Sequence, residues 1–180
     1  MLSLLLALDV AARAATPAPS LSDIALRADG GRALVLEPFV RAQRLTAVVF
    51  FSATCPCFAA HRARLAALAR DLDARGVRFV VVDSERHAAG EAAAGAASGL
   101  PIWRDDGARL ARRLDARQAT ETFVFDATGA LRYHGGLDGD RTHLTSAATP
   151  RLRDALTGLL AGKAPSFASA KTLGCVLRLR

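Results

Sequence analysis

The stretch that decides the fold reads Thr46-Ala-Val-Val-Phe-Phe-Ser-Ala-Thr-Cys-Pro-Cys-Phe58. Residues 46–52 carry no charge and are mostly β-branched or aromatic, which predicts a buried strand. Pro56 suits the first position of a helix, because its missing N–H has no partner there and its φ already matches a helix. The stretch therefore predicts a strand that leads into a helix running to Arg75, with Cys55 at the N-cap.

Beyond this stretch, the hydrophobic period alternates between that of a strand and that of a helix. Residues 77–83 predict a second strand buried on both faces, and residues 120–126 and 130–134 predict a hairpin. Shorter or weaker signals predict a helix over 85–98, a strand over 100–103, a helix over 108–115 and a final helix over 151–160. This order predicts an α/β fold with a central mixed sheet, antiparallel at the hairpin and flanked by helices on both faces.

The composition fits one compact domain, since 51% of the 180 residues are hydrophobic and 23% are charged. It excludes a disordered chain, a disulfide-dense small scaffold and a polytopic membrane protein. The net charge of +7 comes almost entirely from arginines spread along the chain, and aromatic residues make up only 6%. Because no nucleic-acid-reading motif accompanies this charge, we interpret it as a solvated basic surface and expect no nucleic-acid partner.

The first residues have the pattern of an export signal. An apolar run over residues 2–8 is followed by Ala12-Arg13-Ala14, which predicts a signal peptide over residues 1–14. The alternative is an N-terminal helix packed on the domain, and either way the run is too short to be a stable membrane span. We expect a periplasmic or secreted protein with a linker over 15–21, a domain over 22–162 and a tail over 163–180 that contains Cys175.

Cys55 is the residue with the strongest chemical signal. A sulfur at a helix N-cap faces unpaired backbone N–H groups and the positive end of the helix dipole, and both lower the pKa of a thiol. A thiolate at the carboxyl end of a parallel strand is suited to act as a nucleophile or as a metal ligand. The alternative is an inert, buried cysteine.

Two further cysteines are candidate partners for Cys55. Cys57 is two positions away, and side chains at that spacing point to nearly opposite sides of a helix, so a Cys55–Cys57 disulfide would deform the first turn. Cys175 lies in the tail, and a bridge from it would close a long loop and stabilise the fold by about 4–5 kcal/mol. With three cysteines one thiol is always left over, as thiol–disulfide exchange requires.

His61 follows Cys57 by one helical turn, so the two side chains are expected to be neighbours. It is suited to assist thiolate formation or to complete a Cys/His metal site. The alternative is a histidine at the edge of the core, because Leu65, Leu68 and Leu72 continue its stripe along the helix.

These motifs resemble the thioredoxin-like superfamily, and specifically its redoxin (AhpC/TSA-type) branch in a C-P-C variant. The strand followed by Cys55-Pro-Cys57 is similar to the strand, cysteine, proline and helix entrance of that fold. Residues 76–83 resemble its second strand, Glu121-Thr-Phe-Val-Phe-Asp126 its hairpin, and residues 133–138 the strand that follows. The resemblance extends from about Ser22 to the tail.

The resemblance implies an exported thiol–disulfide oxidoreductase without a cofactor. Cys55 would attack a protein disulfide or a peroxide, Cys57 or Cys175 would resolve the product, and a thiol reductant system would regenerate the enzyme. The catalytic set is thus Cys55, Cys57 and Cys175, and the substrate-binding set is Thr54, Pro56, Thr120 and Glu121.

The chain departs from the family at several positions. Thr120 stands where the family has a cis-proline, so we expect a trans peptide bond and an altered groove. The C-x-x-C spacing is absent. Ser52 fits the peroxiredoxin pattern three positions before Cys55, whereas Val48 stands where that pattern has proline.

Three other functions remain open from the sequence. One is a peroxiredoxin-like peroxidase. Another is a non-enzymatic copper-binding protein, because Cys55, Cys57 and His61, with Cys175 as a possible fourth ligand, are soft donors suited to Cu(I). The last is a structural domain whose cysteines only fasten the tail.

Overall fold

The structure is a computed structural model that describes residues 19–28, 30–86, 99–140, 148–165 and 169–179. Seven strands form one mixed sheet in this part of the chain. They are β1 (Ala25–Arg27), β2 (Ala33–Val35), β3 (Leu45–Phe51), β4 (Val77–Asp83), β5 (Ile102–Arg104), β6 (Thr122–Asp126) and β7 (Leu131–Gly135). Their order in the sheet is β2-β1-β5-β4-β3-β6-β7. β3 is parallel to β4, and β4 is parallel to β5, while β6 and β7 pair antiparallel as the predicted hairpin.

The described helices are α1 (Leu36–Arg41), α2 (Pro56–Asp73), α3 (Arg109–Leu114) and α4 (Arg151–Leu160). The predicted α/β fold, with a central mixed sheet flanked by helices, is confirmed. α2 starts at Pro56 with Cys55 as its N-cap residue, as the sequence predicts. An ion pair between Arg153 of α4 and Asp71 of α2 joins these two helices at 2.9 Å. No helix in the described ranges is long and apolar enough to cross a membrane.

β3 is the centre of the core. All seven of its residues are buried, because β4 lies on one edge, β6 lies on the other, and both faces of the sheet are covered. Phe50 of β3 packs edge-on against Phe123 of β6, with ring centroids 5.9 Å apart. This rigid strand fixes the position of the loop that leads into α2, and therefore the position of Cys55.

Some sequence predictions differ from the structure. β1, β2 and α1 were not predicted, and the first two strands have only three residues each. Of the helix predicted over 85–98, only Glu85 and Arg86 lie in the described residues; they are not helical, and Glu85 forms a β-bridge with Leu179. The predicted signal peptide, residues 1–14, lies outside the described residues.

The tail contains a docked segment, residues 169–179, which we call the C-terminal strap. Ser169 forms a parallel bridge to His134 of β7, Val176 forms an antiparallel bridge to Gln118, and Leu179 pairs with Glu85. The strap therefore crosses from the edge strand β7, past the loop before β6, to the carboxyl end of β4. This path takes it across the N-terminus of α2.

Candidate functional site

Cys55 lies in the short loop between β3 and α2. Its backbone is extended, with φ −85° and ψ 113°, its N–H donates to the carbonyl of Ser52, and its own carbonyl accepts the N–H of Ala59. The thiol is buried. Thr54 and Pro56 on either side of it are exposed, so these two predicted substrate-binding residues form the protein surface beside the buried sulfur.

Cys175 of the strap meets Cys55 directly. The two Sγ atoms are 2.8 Å apart and share a hydrogen bond. The backbone holds Cys175 in place, because its carbonyl accepts the N–H of Ala119 at 2.8 Å and the N–H of Leu177 donates to the carbonyl of Arg117 at 2.9 Å. The structure therefore brings together two of the three predicted catalytic residues by a short antiparallel pairing.

The pKa values of the Cys55 and Cys175 thiols are shifted in opposite directions. Burial raises the pKa of Cys55, but hydrogen bonds from the Cys175 thiol and from the backbone of Phe58, Cys175 and Cys57 outweigh it and lower the pKa overall. Burial and the neighbouring Cys55 raise the pKa of Cys175 to about 12. Cys55 is consequently the thiol of the pair that loses its proton first, and Cys175 is the one that keeps its proton.

Cys57 completes a group of three sulfurs. It is buried, and its Sγ and those of Cys55 and Cys175 all lie within 4.8 Å of one another. The expectation that Cys55 and Cys57 point to opposite sides of a helix is wrong, because Cys55 precedes the helix and has an extended backbone. All three predicted catalytic cysteines thus belong to one site.

His61 is turned away from this group of sulfurs. Its Nδ1 lies 2.6 Å from the carbonyl oxygen of Cys57, and a carbonyl only accepts, so Nδ1 donates the proton. Its Nε2 lies 3.6 Å from Asp138, whose carboxylate also pairs with Arg64 at 3.0 Å. Both ring nitrogens therefore have partners. The alternative metal set was Cys55, Cys57 and His61, but the third residue that the structure places beside Cys55 and Cys57 is Cys175.

Thr120 and Glu121 lie beneath the strap and are buried. The peptide bond before Thr120 is trans, as expected, and Thr120 has a φ of +71°. Its N–H donates to the carbonyl of Phe50 at 2.8 Å, and the N–H of Phe50 donates back to the carbonyl of Glu121. These bonds fix the loop before β6 to the central strand, so Thr120 supports the loop and does not line an open groove.

The Glu121 carboxylate organises the same loop. One oxygen accepts the N–H groups of Arg117 and Gln118 at 2.7 and 3.0 Å, and the other lies 2.6 Å from Nε2 of His134. Burial would raise the pKa of Glu121, but the bonds from His134, Arg117 and Gln118 outweigh it and lower the pKa. Glu121 therefore remains a carboxylate that holds the backbone edge to which the strap pairs.

Sequence reasoning missed the residues that receive the strap. Gly174 packs so closely on the loop that an added Cβ would overlap the carbonyl of Ala119 and lie 3.2 Å from Oγ1 of Thr120. The only sequence signal for this contact is a glycine directly before Cys175. Nothing local marks residues 117–119 as a pairing edge.

Comparison with solved structures identifies the fold. A hypothetical protein from Sinorhizobium meliloti is similar at 23% identity and a TM-score of 0.80, covering 93% of this chain and 97% of its own. Peroxiredoxin Q from Xanthomonas campestris has 16% identity and a TM-score of 0.56, with coverage of 79% and 92%. An exposed lipoprotein thioredoxin from Streptococcus pneumoniae has 14% identity and a TM-score of 0.55, with coverage of 77% and 97%.

Sequence comparison adds nothing to this result, because no family model and no curated protein matches the chain. The similarity to peroxiredoxin and thioredoxin structures at low identity concerns the backbone. The resemblance noted in the sequence is therefore confirmed at the level of the fold: the chain has the thioredoxin-like fold, with a C-x-C variant at the entrance to α2.

Proposed function

We propose that the protein is an exported thiol–disulfide oxidoreductase of the redoxin type. One observation supports this most directly: the N-cap thiol of Cys55 has a lowered pKa, and a second thiol, Cys175, lies 2.8 Å from it. The similarity to a peroxiredoxin and to an exposed lipoprotein thioredoxin is consistent with redox chemistry on this fold. The signal-like sequence over residues 1–14 supports export to the periplasm or the medium.

The reaction runs in two exchanges. The Cys55 thiolate attacks one sulfur of a partner disulfide, that S–S bond breaks, and the other partner sulfur leaves as a thiolate. Cys175 gives up its proton and attacks the Cys55 sulfur, which forms the Cys55–Cys175 disulfide and releases the second partner thiolate. The partner is reduced by two electrons and the protein is oxidised by two; an external dithiol returns the protein to its reduced state.

The geometry favours Cys175 over Cys57 as the resolving residue. The Cys175 sulfur is within hydrogen-bond distance of the Cys55 sulfur, and it lies on a strap outside the sheet and helices. It can therefore move close enough to form a disulfide without deforming α2. Cys57 is fixed in the first turn of the helix. We therefore assign Cys57 to supporting the site, with the backbone N–H of its turn stabilising the thiolate.

Three serine variants test this proposal in an insulin-reduction assay with a dithiol donor. We expect Cys55→Ser to lose turnover, Cys175→Ser to accumulate a mixed disulfide with the partner, and Cys57→Ser to keep most of the activity. Accumulation of the mixed disulfide in Cys57→Ser, with normal turnover in Cys175→Ser, would assign resolution to Cys57. Normal turnover in Cys55→Ser would overturn the proposal.

Peroxide is the alternative substrate for the same thiolate. The oxidised product would then be a sulfenic acid on Cys55, which Cys175 would convert to a disulfide with loss of water. The same variants, assayed for peroxide consumption, separate the two substrates. A rate with peroxide that exceeds the rate with protein disulfides, and that is lost in Cys55→Ser, would favour the peroxidase.

A second candidate function is Cu(I) binding, which the cluster of three sulfurs supports. The Sγ atoms of Cys55, Cys57 and Cys175 lie within 4.8 Å of one another, and thiolates are the ligands that Cu(I) prefers. Anaerobic titration of the reduced protein with Cu(I) tests this function. We expect near-stoichiometric binding that each cysteine variant weakens and that His61→Gln leaves unchanged; failure of the reduced protein to retain copper would exclude it.

A further inference from the structure

The strap reaches Cys55 as an extended segment bound at a backbone edge. Its pairing with the loop before β6 uses two backbone hydrogen bonds, from Ala119 N–H to the Cys175 carbonyl and from Leu177 N–H to the Arg117 carbonyl. A third bond from Arg86 N–H to the Arg178 carbonyl, at 2.8 Å, continues the pairing toward β4. Backbone bonds of this kind give affinity for an extended chain without depending on its side chains, so the specificity must come from the surroundings of each position.

The receiving edge is held in shape by groups outside the strap. Glu121 accepts the N–H groups of Arg117 and Gln118, and Thr120 is bonded to Phe50 of the central strand. These bonds direct the Arg117 carbonyl and the Ala119 N–H toward the strap. Because Glu121 and Thr120 bind the edge from the side away from the strap, we expect its binding groups to keep their positions when the strap leaves.

Each strap position meets a different environment. Gly174 lies against the Ala119 carbonyl with no room for a Cβ, Val176 is 74% exposed, and Leu177 is buried in the core cluster. Arg178 donates its backbone N–H to the Glu85 carboxylate at 3.0 Å, and its guanidinium lies 3.8 Å from the same oxygen. The strap thus places a glycine where no Cβ fits, a cysteine beside Cys55, an exposed residue, a buried apolar residue and a basic residue beside a carboxylate, in that order.

We propose that the C-terminal strap occupies the binding site of a protein partner, and that the partner presents a Gly-Cys-x-apolar-basic segment to the edge formed by residues 117–119. This proposal rests on the proposed function and names its substrate class. Partner and strap exclude each other, because both need the Ala119 N–H and the Arg117 carbonyl. A partner must displace the strap to reach Cys55, and the returning strap delivers Cys175 to the mixed disulfide and expels the partner.

The test is peptide binding by the full chain under reducing conditions. The probe is a fluorescent peptide with the sequence of residues 171–179, in which serine replaces the cysteine so that no disulfide forms. The receptor variant is Gly174→Ala, which undocks the strap. Its matched control is Gly158→Ala in α4, where an added Cβ meets nothing within 4 Å.

We expect Gly174→Ala to bind the peptide at least about tenfold more tightly than the wild type, since no strap competes, and Gly158→Ala to match the wild type. A second peptide with alanine in place of its glycine should bind Gly174→Ala at least about tenfold more weakly than the first peptide. Equal binding by the two Gly→Ala variants, or equal binding of the two peptides, would overturn the proposal.

Alkylation of Cys175, followed by mass spectrometry, checks that the strap has left. We expect Cys175 to react several-fold faster in Gly174→Ala than in Gly158→Ala; an unchanged rate would show that the site accepts alanine and would overturn the glycine requirement. Leu177→Pro removes both the Arg117 hydrogen bond and the buried side chain, and it supplies the same test should Gly174→Ala fail to fold. Since the peptide has no thiol, its binding is independent of turnover: binding without insulin reduction would reject the oxidoreductase and keep the peptide site.

Discussion

The Sγ atom of Cys175 lies 2.8 Å from the Sγ atom of Cys55, although the two residues are 120 positions apart in the chain. Cys175 keeps its proton because its pKa is raised to about 12, whereas the pKa of Cys55 is lowered. The lowered pKa of Cys55 comes partly from Cys175, a residue that is distant in sequence, and partly from backbone groups at the start of its own helix.

This relationship predicts the effect of removing Cys175. In Cys175→Ala we expect the pKa of Cys55 to rise, because the hydrogen bond that stabilises its thiolate is lost. The pH dependence of Cys55 alkylation, followed by mass spectrometry, measures this shift. Cys57→Ala is the control, since it keeps the backbone N–H of residue 57; a larger rise in Cys57→Ala than in Cys175→Ala would contradict the assignment.

Tyr133 gives a spectroscopic prediction, because it is the only tyrosine in the chain. Its hydroxyl donates to the carbonyl of Gly136 at 2.6 Å, and burial raises its pKa to about 12. We expect the absorbance at about 295 nm to give a titration midpoint near pH 12 for the folded protein, against about pH 10 in strong denaturant. Between these values the unfolded chain loses the proton first, so the free energy of unfolding should fall as the pH rises; a folded-state titration near pH 10 would contradict burial.

The lowered pKa of Glu121 predicts how the stability of the protein changes in acid. Its pKa is lowered in the folded protein, so the unfolded chain binds the proton first as the pH falls below 4.5, and stability is lost from there through the folded pKa. Glu121→Gln should cost about 1–3 kcal/mol at pH 7, because two backbone N–H groups lose a charged acceptor, and should reduce this acid dependence. Urea denaturation at several pH values measures both effects.

Glu37→Gln is the control for Glu121→Gln. Glu37 forms a partly exposed ion pair with Arg41 at 2.9 Å, and such pairs contribute roughly 0–1 kcal/mol. We expect this variant to unfold at nearly the wild-type urea concentration, with the acid dependence retained. Equal losses of stability in both variants would show that Glu121 has no special role in the loop.

The backbone conformation of Thr120 predicts the effect of replacing it by the proline of the family pattern. Proline requires a φ near −65°, whereas Thr120 has a φ of +71° and donates its N–H to Phe50. Thr120→Pro should therefore destabilise the fold by about 3 kcal/mol or more. Thr120→Gly should stay within about 1 kcal/mol of the wild type, because glycine adopts this φ without strain; a stable proline variant would show that the loop has another accessible form.

Local signals explain what the sequence predicted. β3, the start of α2 and the β6–β7 hairpin were predicted because each depends on alternation, a proline or turn residues within a few positions. The N-cap position of Cys55 was predicted for the same reason, since it follows from Pro56. Thr120 was expected to follow a trans bond simply because it is not proline.

The rest of the site depends on contacts between distant residues. Residues 117–119 form a pairing edge only because Glu121 and Phe50 hold them in place, and Cys175 reaches Cys55 only because the strap docks there. His61 has the right spacing for a ligand, but its ring contacts the Cys57 carbonyl and Asp138, which is far along the chain. β1 and β2, with three residues each, are too short for a period to be recognised.

The distance in sequence between the two thiols also sets an order of events during synthesis. At translation rates of roughly 5–20 residues per second, Cys175 is made about 6–24 s after Cys55, which precedes it by 120 positions. Throughout that interval the nascent chain has Cys55 and Cys57 but no strap. Cys55 and Cys57 are therefore made, and can react with a thiol or bind a metal ion, before the strap that packs on them in the finished protein exists.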